Sequence, residues 1–220
     1  MSIDFSKIST PAGPKRIIDP IELFQSLSVT DPSVNDLWLA QGDALRQWHQ
    51  NRATRDVAIA LNTGAGKTLV GLLAAQSLVN ETNRHVVYAC SSIQLVEQTA
   101  SKAAGYGLDI TTYFQGKFSN DLYHQGLASC ITTYQALFNS KSRFFKDEAA
   151  AIVFDDAHTA QHLLRDQFTL RISHDRMMSL FSQVSVLFIG YFDRIGAGVS
   201  YEETLRRQSS RSWFVLPTQK

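Results

Sequence analysis

Residues 57–68 read VAIALNTGAGKT, and this stretch decides the fold. Its apolar first half predicts a buried strand, and the residues after the glycines predict a helix. A strand, a glycine-containing loop and a helix N-terminus in succession gather backbone N–H groups at one point, which suits a phosphate group. Gly64 and Gly66 allow backbone conformations that bulkier residues disfavour. We therefore predict a phosphate-binding loop over residues 61–68.

The residues of this loop have separate expected roles. The Lys67 side chain can reach the β- and γ-phosphates of a nucleotide, and the Thr68 hydroxyl can ligate a magnesium ion. We therefore predict ATP and Mg²⁺ as cofactors. An ordinary glycine-rich turn is the alternative, and Leu61 departs from the usual pattern, which has Gly or Ala there. The other loop residues predicted to bind the cofactor are Thr63, Gly64, Ala65 and Gly66.

The composition is typical of a globular protein with one sizeable core, because 44% of the 220 residues are hydrophobic and 19% are charged. The net charge of +1 gives no overall attraction to nucleic acid or to a membrane, so any such surface must be local. The longest apolar runs, 69–75 and 184–189, are too short to cross a bilayer. Cys90 and Cys130 lie in strand-like runs without metal-ligand spacing, which predicts reduced thiols in a cytoplasmic protein.

Apolar strand-like runs alternate with helical runs along most of the chain. This order, with strands that are apolar on both faces, predicts an α/β fold in which helices cover both faces of a mostly parallel sheet. The predicted strands are 57–61, 85–90, 108–114, 129–134 and 149–154. The predicted helices in this part are 21–27, 36–48, 69–80, 94–104 and 135–138.

The two ends of the chain are less regular. Prolines and small polar residues predict an irregular arm over residues 1–36, apart from its one short helix. Residues 175–188 can form a helix, while 184–189 alone can form a strand; periodicity does not decide between them, and we favour the helix. Residues 191–220 are predicted to be a loosely packed tail, or the start of an insertion or truncated region. The main domain is therefore predicted to span 37–190.

An acidic sequence, DDAH at 155–158, follows the last predicted strand. Carboxylates at the C-terminal ends of parallel strands are well placed to complete a nucleotide site. Asp155 is predicted to hold the metal through a water, and Asp156 to orient the water that attacks the γ-phosphate. His158 is expected near the γ-phosphate, and with Lys67 these residues form the predicted catalytic set. The alternative is a helix N-terminus with acidic residues in its first turn.

These two motifs together resemble those of a known family. TGAGKT at 63–68, followed about 90 residues later by DDAH, is similar to the N-terminal RecA-like domain of superfamily 2 helicases, of the DEAD/DEAH-box type and its restriction-enzyme relatives. The resemblance covers residues 37–160. It implies a P-loop NTPase fold and a Gln41 carboxamide that recognises adenine. Phe24, seventeen positions before Gln41, is either the stacking aromatic residue of DEAD-box proteins or a core residue.

Two further segments resemble the nucleic-acid motifs of this family. SSIQLVEQ at 91–98 and TTYQAL at 132–137 offer hydroxyl groups and helix N-termini to phosphates, which are contacts independent of base sequence. The alternative is that these polar residues only cap helices at strand ends. The residues that the resemblance assigns to DNA or RNA binding are Ser91, Ser92, Gln98, Thr132 and Thr133.

The sequence also departs from the family pattern. Asp156 replaces the usual Glu, and a carboxylate set back by one methylene, about 1.5 Å, predicts slow hydrolysis that Asp156→Glu should accelerate. Ile93 replaces an Arg that would contact phosphate. The Ser-Ala-Thr motif is missing, with 189–191 as its nearest candidate. The arginines that complete the ATP site are expected from a second RecA-like domain, in a longer chain or a partner subunit.

The resemblance therefore implies an ATP-binding helicase-like domain, part of an ATP-dependent helicase or translocase that remodels DNA or RNA and is weak or inactive alone. The alternative is a P-loop ATP-binding regulatory or interaction module without motor activity. A small-molecule kinase fits poorly, because nothing in residues 69–107 resembles the arginine-bearing lid of such enzymes.

Overall fold

The computed structural model describes residues 16–139, 141–145, 148–169, 172 and 174–207. The outer parts of the predicted arm and tail, 1–15 and 208–220, lie outside these residues. The helices are α1 (Pro20–Ser26), α2 (Leu39–Asn51), α3 (Lys67–Thr82), α4 (Ile93–Gly105), α5 (Tyr134–Leu137), α6 (Ala157–Gln167), α7 (Met178–Arg194) and α8 (Gly198–Arg207), with a 3₁₀ turn at Arg143–Phe145. The strands are β1 (Val86–Cys90), β2 (Ile110–Phe114), β3 (Lys117–Phe118), β4 (Ser129–Thr133) and β5 (Ala151–Phe154).

The five strands form one sheet in the order β3-β2-β4-β1-β5. The ladders β2–β4, β4–β1 and β1–β5 are parallel, while β3 is a two-residue antiparallel addition to the edge of β2. Every residue of β1 and β4 is buried, as expected for central strands with helices on both faces. The predicted α/β class with a mostly parallel sheet is therefore confirmed.

Alternate residues of β1 face two separate hydrophobic clusters, one on each side of the sheet. Val86, Tyr88 and Cys90 belong to the cluster that α3 and α4 cover. Val87 and Ala89 belong to the other cluster, which includes residues of α5 and α6. The apolar residues on nearly every side of α3 are buried by this arrangement, because the helix lies between the sheet and the pair α1 and α2, with α4 beside it on the sheet. Both faces of the sheet thus have a core.

The predicted strand at 57–61 is wrong. These residues belong to no β-ladder; residues 57–60 are exposed, Val57 by 41%, and Leu61 is half-buried. Among the described residues, no strand pairs with the outer edge of β5, and Ile152 there is 37% exposed. A cavity of 740 Å³ is lined by segment 57–61, by α3 and by β5. An apolar run favours an extended conformation, but it does not specify the strand that would provide hydrogen bonds.

The described part of the predicted arm packs on α3. Asp19 caps α1 by accepting hydrogen bonds from the backbone N–H groups of Ile21 and Glu22. Leu23 and Phe24 of this helix are buried in the core. The Ser77 hydroxyl and the Asn80 amide on α3 donate hydrogen bonds to carbonyl oxygens at the start of the described chain. The predicted helix at 21–27 is therefore confirmed and serves as a cover for α3.

The contacts divide the chain into two compact units, with the boundary between Phe168 and Thr169. In the second unit α7 confirms the helix favoured over a strand at 184–189, whereas α8 was not predicted and lies in the expected tail. Phe192 and Tyr201 stack with ring centroids 4.3 Å apart, which joins the two helices. No helix among the described residues is both long enough and apolar enough to span a membrane.

Candidate nucleotide-binding site

The loop between segment 57–61 and α3 has the backbone conformation that its glycines permit. Gly64 and Gly66 have φ angles of 82° and 74°, in the left-handed region that residues with a Cβ disfavour. Gly66 also caps the N-terminus of α3, so the helix begins at Lys67. A Cβ atom on Gly66 would lie 2.2 Å from Nε2 of Gln41. The glycine therefore serves both the turn and a close side-chain contact, and the N-terminus of α3 provides N–H groups for an anion.

Gln41 connects the N-terminus of α2 to this loop. Its Nε2 donates a hydrogen bond of 3.0 Å to the carbonyl of Ala65, and its Oε1 accepts one of 2.9 Å from the backbone N–H of Trp38. The side chain is buried. An amide group has two N–H donors and two acceptor lone pairs, so one of each is left beyond these two bonds. Gln41 thus holds the loop and retains hydrogen-bonding capacity.

The acidic pair at the end of β5 faces the loop. Asp155 continues the sheet through a hydrogen bond from its backbone N–H to the carbonyl of Ala89, 3.0 Å. Oδ1 of Asp156 lies 3.6 Å from Nζ of Lys67, and both side chains are partly exposed. Two motifs about 90 residues apart in the sequence are therefore brought together at the C-terminal edge of the sheet. His158 lines the same cavity as these residues.

The backbone at Asp156 gives a reason for the aspartate at this position. Its φ angle is +49°, in the left-handed region where Asp and Asn are several-fold enriched over other residues with a side chain. A glutamate there would have the longer reach typical of the family but a less favourable backbone. An aspartate at position 156 therefore provides a carboxylate and also tolerates the left-handed backbone of this turn.

Asp155 lies in an environment that disfavours its charge. Burial raises the pKa of its carboxyl group, and the nearby charge of Asp156 raises it further. A hydrogen bond from Tyr88 and the charges of Lys102 and Lys67 act in the opposite direction. A divalent cation beside two adjacent carboxylates would remove this penalty, so the donor set suits Mg²⁺.

The protein would supply few of the ligands of such an ion. No cluster of three or more His, Cys, Asp or Glu side chains suited to a metal occurs among the residues that the structure describes. The donor set would therefore suit a magnesium ion that takes most of its ligands from waters and phosphate oxygens, which is the usual mode for Mg²⁺ at nucleotide sites. A metal cage built only from protein groups is not indicated.

Sequence reasoning missed Trp38, an exposed aromatic residue beside Gln41. Phe24, the aromatic residue considered for base stacking, is only 6% exposed and packs in the core. Trp38 is 60% exposed at the N-cap of α2 and lines a cavity of 180 Å³. Its position three residues before Gln41 was the available signal, because one turn of helix brings such residues to the same side.

The candidate nucleic-acid residues divide into two groups. Thr132 is buried and donates its hydroxyl hydrogen bond to the Tyr113 carbonyl, and Thr133 is buried and caps α5. Ser92 is exposed but caps α4 by accepting a hydrogen bond from the backbone N–H of Leu95, 3.2 Å. Ser91 and Gln98 make none of these capping bonds, and Gln98 is exposed on α4. The structure thus leaves the first segment accessible and buries the hydroxyls of the second.

The nearest candidate for the missing Ser-Ala-Thr motif, residues 189–191, lies inside α7. A motif that follows a strand in the family is therefore part of a helix here. The structure consequently gives no support to these residues as a counterpart of that motif.

The chain matches a known protein family over most of its length. Residues 36–187 match the family model described as type III restriction enzyme, res subunit. Neither the curated proteins nor the solved structures gave a match. The match covers most of the chain, including both motifs and the sheet that positions them. The chain therefore belongs to the type III restriction enzyme res-subunit family, and its domain is the N-terminal RecA-like domain of superfamily 2 helicases.

Proposed function

We propose that this chain binds ATP with Mg²⁺ and hydrolyses ATP as part of a nucleic-acid helicase or translocase. The observation that carries the proposal is the approach of the loop to the acidic pair, with Nζ of Lys67 3.6 Å from Oδ1 of Asp156. A triphosphate between them would meet a cation and backbone N–H groups on one side and metal-binding carboxylates on the other. Membership of a helicase-type ATPase family supports the same reading.

Each residue of the site has a role in this proposal. The backbone of residues 63–66 and the Lys67 ammonium group bind the phosphates, and Gln41 uses its remaining donor and acceptor on adenine. Thr68 and Asp155 hold the magnesium ion, which when bound neutralises charge on the phosphates. Asp156 orients the attacking water.

We also propose a role for His158 and an extent for the domain. His158 lines the cavity that contains the loop lysine and the acidic pair, so it is placed to respond to the nucleotide. The ATP-binding domain spans residues 37–190, close to the 36–187 of the family match. We propose a cytoplasmic location, because Cys90 and Cys130 are buried in the clusters on opposite faces of the sheet, as reduced thiols of a protein core are.

Nucleic acid, either DNA or RNA, is the proposed partner at the C-terminal edge of the sheet. Ser91 and Gln98 on and before α4 are accessible, and the N-terminus of α4 at Ser92 can face a phosphate. We propose that a second RecA-like domain supplies the arginines that complete the site, so that hydrolysis by this domain alone is slow.

A second function, an ATP-binding regulatory module without motor activity, is favoured by a specific observation. The hydroxyls of Thr132 and Thr133 are buried and used inside the protein, and residues 189–191 lie in a helix. The segment at 132–137 and the Ser-Ala-Thr motif, through which the family links nucleotide binding to nucleic-acid binding, therefore do not have their usual form here.

Titration with fluorescently labelled ATP and Mg²⁺ tests the proposal. We expect Lys67→Ala to abolish binding, while Lys117→Ala, which removes an exposed lysine from β3, binds as the original protein does. Equal affinity of the Lys67→Ala variant would show that the site is assigned wrongly. Repeating the titration with single-stranded DNA or RNA separates the two functions, because only a motor domain changes its nucleotide affinity when nucleic acid binds.

A further inference from the structure

Tyr88 is a fully buried tyrosine beside the candidate site. It lies in the middle of β1, paired with Ile131 of β4 and Val153 of β5, and its exposure is 1%. Its ring is on the face of the sheet that α3 covers, and it lines the cavity that also contains Lys67 and Asp155. A buried phenol is expected to have a partner for its hydroxyl.

This hydroxyl shares its cavity with the carboxyl group of Asp155. Tyr88 is the register partner of Val153, and Asp155, two residues after Val153, continues the same face of the sheet, so the phenol O–H can donate a hydrogen bond to the Asp155 carboxylate. The backbone of Asp155 is held separately, by the N–H bond to Ala89 and by the Tyr134 hydroxyl, which donates to the Asp155 carbonyl. Main chain and side chain of this aspartate therefore have different anchors, and Tyr88 anchors the side chain.

Gly71 on α3 provides the space that this contact requires. A Cβ atom there would lie 2.9 Å from Cε2 and 3.2 Å from the hydroxyl oxygen of Tyr88. Glycine inside a helix costs about 1 kcal/mol relative to alanine, so its presence in α3 needs a packing reason. The tyrosine ring is that reason, since an alanine would push it away from its present position.

We infer that Tyr88 is a positioning residue for magnesium binding: its hydroxyl holds the Asp155 carboxylate in the position from which it would bind the metal and its waters. The inference rests on the proposed function. A freely rotating carboxylate would lose rotamer freedom when it met the metal, whereas an anchored one has already lost it. Outer-sphere partners of this kind typically change metal affinity by about tenfold or more.

The experiment measures how much Mg²⁺ improves ATP binding, as the ratio of the dissociation constants in EDTA and in Mg²⁺. Tyr88→Phe keeps the ring and the packing and removes only the hydroxyl. We expect this ratio to fall about tenfold in Tyr88→Phe, with the dissociation constant in EDTA unchanged. The matched control is Tyr106→Phe, which removes a hydroxyl from another buried tyrosine of the same core and should leave the ratio unchanged.

A double-mutant cycle shows whether Tyr88 acts through Asp155. In an Asp155→Asn background, Tyr88→Phe should cause no further loss of the Mg²⁺ effect, because the group that it positions is no longer a carboxylate. Gly71→Ala, which keeps the hydroxyl but closes its space, should lower the ratio as Tyr88→Phe does. In this design, the ratio of the dissociation constants in EDTA and in Mg²⁺ depends on the position of the Asp155 side chain and not on the packing of the core.

The outcomes distinguish this inference from the proposed function. An unchanged Mg²⁺ effect in Tyr88→Phe, in a protein that binds ATP with Mg²⁺, would overturn the inference alone. Equal losses in EDTA and in Mg²⁺ would also overturn it, since they would indicate general disturbance of the core. Failure of the original protein to bind ATP in either condition would overturn both the proposed function and the inference.

Discussion

At the scale of single residues, Trp38 is the side chain that sets this site apart from what the sequence motifs predicted. Its ring is exposed and its backbone N–H donates a hydrogen bond to Gln41, while Phe24 is buried. We expect Trp38→Ala to weaken ATP binding about tenfold, the effect of losing roughly 1.4 kcal/mol of base stacking. Competition against labelled ATP by ATP and by inorganic tripolyphosphate measures this, because tripolyphosphate has no base and its affinity should stay the same. Equal losses for both competitors, or a loss in Trp38→Phe as large as in Trp38→Ala, would contradict a stacking role.

Ionisation of the Asp155 carboxyl group is expected to lower the free energy of unfolding in a pH-dependent way. Its pKa is raised in the folded protein, chiefly by burial, so the ionised form is less favourable there than in the unfolded chain. The penalty is complete at pH values above the raised pKa and disappears as the pH falls towards the unfolded value of about 3.8. Asp155→Asn should therefore raise the melting temperature at pH 7, without nucleotide or Mg²⁺, and this gain should shrink towards pH 4.

Thermal unfolding in EDTA followed by circular dichroism measures this difference. Asp109→Asn, at an exposed aspartate just before β2, is the control and should leave the melting temperature unchanged at both pH values. A variant Asp155→Asn that melts below the original protein at pH 7 would contradict the prediction. A confirmed gain would indicate that the carboxylate is kept for ligand binding at the expense of the free fold.

The order of residues was enough to predict Lys67, Asp155 and Asp156 as a group, because the loop before α3 and the acids after β5 meet at the C-terminal edge of the sheet, although the run at 57–61 before the loop is unpaired. It could not predict the burial of Thr132 or the exposure of Trp38. Burial depends on which distant segments cover a residue, and helical or strand periodicity reports only on neighbours in the sequence.

At the scale of elements, four of the five predicted strands are present, and the fifth, at 57–61, is not paired. The four lie within two residues of their predicted bounds. β3 and α8 were not predicted, and α6 was anticipated only through the alternative of a helix N-terminus at 155–158. The first is two residues long, and the two helices are polar on much of their surface, so neither length nor hydrophobicity marked them.

The unpaired edge of β5 predicts self-association. Exposed apolar strands with free backbone groups template pairing with another chain, and Ile152 lies on this edge among the described residues. We expect Ile152→Lys to slow the growth of light scattering at high protein concentration several-fold, with little change in melting temperature. Val199→Lys is the matched control, since it removes an even more exposed apolar residue from α8, whose backbone is hydrogen-bonded within the helix. Equal protection by both variants would mean that hydrophobicity alone, rather than the strand edge, drives association.

At the scale of the whole molecule, the two cysteines report on the opening of the first unit. Cys90 in β1 and Cys130 in β4 are both fully buried, in the clusters on opposite faces of the sheet. Burial raises the pKa of the Cys90 thiol to about 12, so the reactive thiolate is scarce as well as inaccessible. Reaction with a thiol reagent therefore requires the central strands to separate, which is close to global unfolding of this unit.

The binding of ATP with Mg²⁺ should consequently slow the labelling of both thiols. A ligand that binds only the folded state at 100 times its dissociation constant stabilises it by about 2.7 kcal/mol, which lowers the open population about 100-fold. We expect mass spectrometry to show both cysteines labelled about 100 times more slowly at that concentration, and no such effect in Lys67→Ala. Slower labelling of Cys90 alone would indicate that the two faces of the sheet open independently. Unchanged labelling of both cysteines, in a protein that binds ATP, would show that the thiols react through local openings that leave the nucleotide site intact.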